Sequence, residues 1–129
     1  MAGMTFAVET TINGMVVVIK PIGWLTEENR DELEEPFRTA IERGSKRLVV
    51  DLSSTHFLDQ GSLAALALYK HKVEEAGGCL ILASPSGSAR RMIFAGNLQK
   101  FLPVCETLGE ALELAGQKTP SGRWTPVTV

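Results

Sequence analysis

Apolar residues enter this chain in short runs whose period switches between two and about three and a half. Thr5 to Ile12 and Met15 to Ile19 are two β-rich runs on either side of Asn13-Gly14. That dipeptide tolerates the positive φ of a tight turn, so the chain is predicted to open with an antiparallel hairpin. The second run is continuous instead of alternating, the pattern of a strand covered on both faces. Pro21 and Gly23 are expected to end it. Thr26 has the character of a helix N-cap, with Glu27, Glu28 and Asp31 placed where the helix dipole favours acids. Leu33, Phe37, Ala40 and Ile41 then make one buried stripe, closed at Gly44. Pro36 lies inside that stripe and is expected to kink or split the helix.

Leu48-Val49-Val50-Asp51-Leu52 has the composition of a second buried strand, followed by a polar loop from Ser53 to His56. A helix is predicted from about Gln60 to Ala76, apolar almost all round in its first half, charged in its second, and stopped by Gly77-Gly78. Cys79 to Ala83 is another buried strand. Ser88 is the expected cap of a short helix with Ala89, Met92 and Ile93 inward, ending at Gly96. Phe101 to Cys105 is a candidate last strand. Thr107 and Glu110 have capping-box spacing, opening a helix with Leu108, Ala111, Leu112 and Ala115 inward up to Gly116. The segment 117–129 has two prolines and no periodicity, and is expected to be a tail anchored at most by Trp124.

Strands alternating with helices over short connections predict a single α/β domain over residues 1–116. Its sheet is expected to be mixed but mostly parallel, with four to five strands, an N-terminal hairpin and about four helices. At 129 residues and 44% hydrophobic, the chain is long enough to bury a core without metals or disulfides. A net charge of −2 gives no basic field for nucleic acid. No apolar run approaches the ~20 residues of a membrane span, and the N-terminus lacks a secretory pattern. Cys79 and Cys105 sit in apolar stretches without zinc-like spacing. They are expected to be buried, unpaired thiols of a cytoplasmic protein.

In a parallel α/β sheet, ligands and partners meet the loops beyond the carboxyl ends of the strands. The loop after Leu52 is the longest of these. His56, Asp59 and Ser62 are spaced three apart there, but a hydrolase triad needs a nucleophile on a strained turn backed by a base and an orienting acid. Here His56 precedes a helix and Asp59 is placed to cap it, so neither catalysis nor a cofactor is expected. A capped helix head at the sheet's carboxyl edge instead suits an acidic or phosphorylated group, and Ser62 is the hydroxyl in its first turn. Arg90 and Arg91 on the short third helix are solvated charges that also suit an acidic partner surface. Lys70, His71 and Lys72 make a solvated face.

Val49-Val50-Asp51-Leu52, a short loop, then Phe57-Leu58-Asp59-Gln60-Gly61-Ser62-Leu63 and an Ala/Leu helix resemble the STAS domain of bacterial anti-sigma-factor antagonists and sulfate-transporter tails. Gly77 to Leu82, Ser86 to Arg91, and Leu98 to Thr107 with Glu110-Ala111-Leu112 continue the likeness, which spans roughly residues 5–116. The resemblance implies a binding module rather than an enzyme. In the antagonist branch the loop and helix head dock on an anti-sigma factor that is also a serine kinase, and phosphorylation of the serine after the motif aspartate releases it. Carried over, the contact residues are His56, Asp59, Gln60, Gly61, Ser62 and Leu63, with Arg90 and Arg91 at the rim. The family pattern Asp-Ser-x-Gly-Leu stands here as Asp59-Gln60-Gly61-Ser62-Leu63. The acceptor position therefore holds an amide that takes no phosphate, and Ser62 is the candidate acceptor that remains. A second reading is a STAS subunit steadying the ATPase of a lipid or solute transporter, with no phosphoswitch. In either case the expected state is a monomer or weak dimer without nucleic acid or direct membrane insertion.

Overall fold

The computed structural model describes residues 6–116, so the expected tail at 117–129 lies outside the described residues. The hairpin forms as β1 (Phe6–Asn13) and β2 (Val16–Leu25), paired antiparallel. Its turn residues are Gly14 and Met15, one position later than Asn13-Gly14. Only Gly14 takes a positive φ, +62°, as in a turn with glycine first. β2 also runs on through Pro21 and Gly23, correcting the expected end. The register leaves the nitrogen of Pro21 facing away from β1, beyond the last β3 partner at Ile19, where no ladder donor is needed. Its carbonyl accepts from Thr55 Oγ1 at 3.0 Å. Gly23, at φ +110°, carries the irregularity that re-aims Trp24.

Helix α1 (Arg30–Glu42) is capped at Asn29, three residues later than Thr26, and Asn29 Oδ1 reaches back to accept the Thr26 amide at 2.9 Å. Pro36 lies inside α1, which continues through it as one helix. The carbonyl it deprives of a donor belongs to Glu32, an exposed residue that water reaches. Then come β3 (Arg47–Asp51), β4 (Thr55–Leu58), α2 (Gln60–Glu75), β5 (Cys79–Ala83), α3 (Gly87–Ala95), β6 (Val104–Cys105) and α4 (Leu108–Ala115). The cap of α3 is Ser86, not Ser88. A short 3-10 turn, Leu98–Lys100, precedes β6.

The six strands form one sheet ordered β1-β2-β3-β5-β6, with β4 paired parallel to the far end of β2. Only the β1–β2 pair is antiparallel. The continuous apolar runs divide by the strand period of two. Val17, Ile19, Leu48, Val50, Leu80 and Leu82 join the core under α1, α2 and α3. Val16, Val18, Val49, Cys79, Ile81 and Ala83 pack with Ala111 and Ala115 of α4 on the other face. In the larger core, Phe37 stacks on Tyr69 with ring centroids 4.4 Å apart, joining α1 to α2.

The capping box expected at Thr107 is present, with Glu110 N donating to Thr107 Oγ1 at 3.1 Å and Thr107 N to Glu110 Oε1 at 3.2 Å. Thr107→Ala should therefore cost about 1 kcal/mol of stability by chemical denaturation. A loss near zero would mean that burial of Ala111 and Ala115 alone holds α4.

The thiols differ. Cys79 is buried and Cys105 is half-buried, where burial, helped by the Glu110 carboxylate, pushes the Cys105 thiol up. Because the thiolate is the reactive form, both should label slowly in native buffer, Cys105 first and Cys79 only on unfolding. Rapid native labelling of Cys79 would contradict the packing under α4.

Candidate functional site

The site is built where β2, β4 and the heads of α1 and α2 meet. β4 is held against the end of β2 by Gly23 N donating to the Ser54 carbonyl at 2.9 Å and Asp59 N to the Leu25 carbonyl at 3.2 Å. This delivers Asp59 to the N-cap of α2, as its position before Gln60 predicts. Oδ1 accepts the Ser62 amide at 2.8 Å, and Oδ2 accepts the Glu27 amide at 3.1 Å.

Arg30, in the first turn of α1, completes the arrangement. Its Nη2 lies 3.3 and 3.5 Å from the two carboxylate oxygens of Asp59, and its Nε donates to Ser62 Oγ at 3.3 Å. Ser62 Oγ in turn donates to the Leu25 carbonyl at 3.3 Å. Burial opposes ionisation of Asp59, but the Ser62 bonds, the Glu27 amide and the Arg30 charge together outweigh it and hold the carboxyl below its ordinary value. Gly61 leaves room for the guanidinium, since a Cβ there would stand 2.6 Å from Arg30 Nη2.

The expected site residues separate into two groups. Gln60 and Gly61 are exposed on the head of α2, and His56 is exposed on β4 beside them. The carbonyl of His56 accepts Ser88 Oγ at 2.8 Å, which ties β4 to α3. Ser62 and Leu63 point inward. Leu63 belongs to the core, so it supports the surface without forming it. Ser62 is fully buried with its hydroxyl engaged on both sides. That burial stands against its expected role as a phosphate acceptor. Arg90 forms a two-pronged ion pair with Glu106 at 2.6 and 2.8 Å and lies 5.1 Å from the Phe94 ring centre. Its charge is answered within the chain, and its hydrogen bonds hold the Glu106 carboxyl below the ordinary value. Arg91 is exposed.

Three residues of this region escape sequence reading. Arg30 is one, although a lone base among Glu27, Glu28, Asp31 and Glu32, at a helix start where the dipole disfavours cations, is a signal of it. Trp24 and Phe57 are the others. Their rings pair at 5.3 Å, and Trp24 is 46% exposed, so an aromatic surface is open at the end of β2 and β4. Along the outer face of α2, Gln60, Ala64 and Leu68 follow at one-turn spacing, and Leu68 is 52% exposed. An outer helix face would ordinarily be polar; after Gln60 this one carries Ala64 and Leu68 before it turns polar at His71 and Lys72. Among the described residues no group of His, Cys, Asp and Glu is arranged to hold a metal ion, and no helix is long and apolar enough to cross a membrane.

A mixed, mostly parallel sheet with an N-terminal hairpin and four helices makes the chain an α/β domain. The STAS domain family model matches residues 7–111, and the chain belongs to the STAS domain family. A Thermotoga neapolitana protein named as a candidate anti-sigma factor antagonist is 27% identical over 99 residues, 76% of this chain and 88% of that one. Its Thermotoga maritima counterpart is 25% identical over 104 residues, 80% of this chain and 92% of that one. Among solved structures, an anti-sigma factor antagonist from Mycobacterium paratuberculosis matches with a TM-score of 0.82 at 24% identity, covering 90% of this chain and 98% of that one. The unphosphorylated Bacillus antagonist SpoIIAA matches at 0.68 with 22% identity, covering 84% and 94%. These structural likenesses establish the fold. The chain is an anti-sigma-factor-antagonist-like STAS domain.

Proposed function

We propose that this chain is a regulatory binding module that docks on an anti-sigma factor of the serine-kinase type through the head and outer face of α2. The observation that carries the reading is the clamp of Asp59, Arg30 and Ser62. It spends its polar groups on holding α2 in place and leaves Gln60 and Gly61 exposed at its tip. His56 precedes that tip and Ala64 and Leu68 follow it along α2, while the Trp24–Phe57 pair stands at the end of β2 and β4 that leads into it. An interface with aromatic anchors inside a polar rim has this composition, and Arg91 is placed to meet an acidic group at the margin. Both Thermotoga relatives are named as candidate anti-sigma factor antagonists, which supports the choice of partner.

Gln60 occupies the position where the family pattern has its phosphoserine, and Ser62 is buried. The module therefore binds without release by phosphorylation at this site. The same absence favours, as a second reading, a transporter assembly in which a STAS subunit steadies an ATPase permanently. Affinity capture from source lysate with the parent chain and with a Gln60→Asp variant tests the proposal. A histidine-kinase-like anti-sigma factor held by the parent and lost by the variant supports it. A transporter ATPase in its place supports the second reading, and equal capture by both chains refutes this surface.

A further inference from the structure

The edge of the sheet formed by β1 carries a feature that partner docking at α2 does not use. Counting back from the two-residue turn, the backbone groups of Asn13, Thr11, Glu9 and Ala7 face β2. Those of Ile12, Thr10, Val8 and Phe6 therefore turn to the open edge, where no described residue pairs with them. Sheet edges are commonly guarded by lysine, proline or a bulge; β1 has none of these, and Glu9 is its one charge. Ile12 is 72% exposed at its tip. On the α1 side, a groove of about 420 Å³ lies between α1 and α2, but a second groove of about 360 Å³ runs under this edge, between Ile12 and the Pro36 face of α1.

We propose that a second copy of this chain occupies the edge, its β1 antiparallel to this one about a two-fold axis at Thr10. The register follows from the sequence. Centring the axis on Glu9 would set two carboxylates directly opposite each other, which is destabilising. Centring it on Thr10 pairs Thr10 with its own copy, Val8 with Ile12 and Glu9 with Thr11, and covers the exposed Ile12. Val8 packs on the α1-side core, and Thr10 and Ile12 line the groove on that face.

The helix beneath is self-complementary about the same axis. Glu35, Thr39 and Arg43 recur at one-turn spacing along the face of α1 that lines the groove. Two α1 helices related by a two-fold near Thr39 set Glu35 of each against Arg43 of the other. Arg43 makes no ion pair among the described residues, and Glu35 is engaged only by the exposed Arg38 of its own helix. Because α1 packs on β1 and β2 alike, continuing the sheet at strand spacing brings the two helices to about 10 Å, the range of helix packing. The contact is isologous and closed, so it makes a dimer and not a filament.

Sedimentation equilibrium of the full chain tests this. The parent should show a concentration-dependent dimer. Thr10→Pro removes an outward-facing donor while sparing the β1–β2 bonds, and should be monomeric with an unchanged circular dichroism spectrum. Arg43→Glu should weaken the dimer about tenfold, since two opposite-charge contacts become two like-charge ones. Adding Glu35→Arg to Arg43→Glu should restore it. The charge variants decide the matter even if Thr10→Pro misfolds. A parent that stays monomeric at its highest soluble concentration overturns the proposal. So does a dimer that Arg43→Glu leaves intact.

Discussion

Gln60→Asp should weaken partner capture by about tenfold or more while leaving the melting temperature where it is. The two outcomes come from different parts of the molecule. Gln60 is exposed at the first position of α2, next to the cap. A carboxylate there meets the positive end of the helix dipole, so the fold tolerates it. The partner does not, because the contact loses water on binding and a new charge must then be answered or left unpaired. Arg30, the base of the clamp at the head of α2, is already held by Asp59 and Ser62. Gln60→Ser removes the amide without adding charge and should bind close to the parent. It also restores a hydroxyl at the position where the family pattern carries its phosphoserine. Quantitative capture of the three chains, each melted in parallel, checks the prediction. Full binding by Gln60→Asp would move the interface elsewhere on the domain.

The order of helices and strands was largely legible because it rests on local chemistry. The capping pair Thr107 and Glu110, the glycines at 77–78 and 96, and the β-rich runs each act within a few residues of themselves. What escaped depends on distant partners. β4 consists of four residues after a polar turn, with Thr55 and Leu58 buried and His56 exposed. Nothing in that tetrapeptide announces a strand; it becomes one because β3 leaves the side of β2 after Ile19 and the vacated edge of β2 takes it up. The extension of β2 past Pro21 has the same origin. In the same way, Thr26 and Asn29 are both good cap residues by type, and Asn29, which stands at the cap, is tied back to β2 by donating Nδ2 to the Trp24 carbonyl at 2.6 Å.

The candidate site was legible as a location and only partly as a constellation. Asp59 as a cap follows from sequence alone. The burial of Ser62 does not, since it requires Arg30 and the Leu25 carbonyl, 32 and 37 residues away along the chain. The exposure of Trp24 likewise depends on the irregular register at Gly23. The residues most easily seen from sequence thus turn out to brace the surface, and the aromatic pair that enlarges it was visible only in three dimensions.

That bracing role gives Asp59→Ala the larger stability effect, a loss of about 2 kcal/mol at neutral pH. Loss of the cap to the Ser62 amide accounts for about 1 kcal/mol. The remainder comes from the Glu27 amide and the partly buried Arg30 guanidinium, both left without their acceptor. Asp59→Asn keeps an oxygen for the cap but removes the charge, so it should lose less. The pH dependence fixes the sign. The folded carboxyl sits below its ordinary value of 3.8, so its contribution is complete above that pH. It disappears as the pH falls from 3.8 through the lowered native value. The stability gap between parent and Asp59→Ala, measured by denaturant melts, should therefore be constant from neutral pH down to about 5 and narrow in more acid solution, where the protonated carboxyl keeps only an oxygen for the cap. A gap that persists unchanged at acid pH would mean that packing at the head of α2, and not the charged clamp, holds the site together.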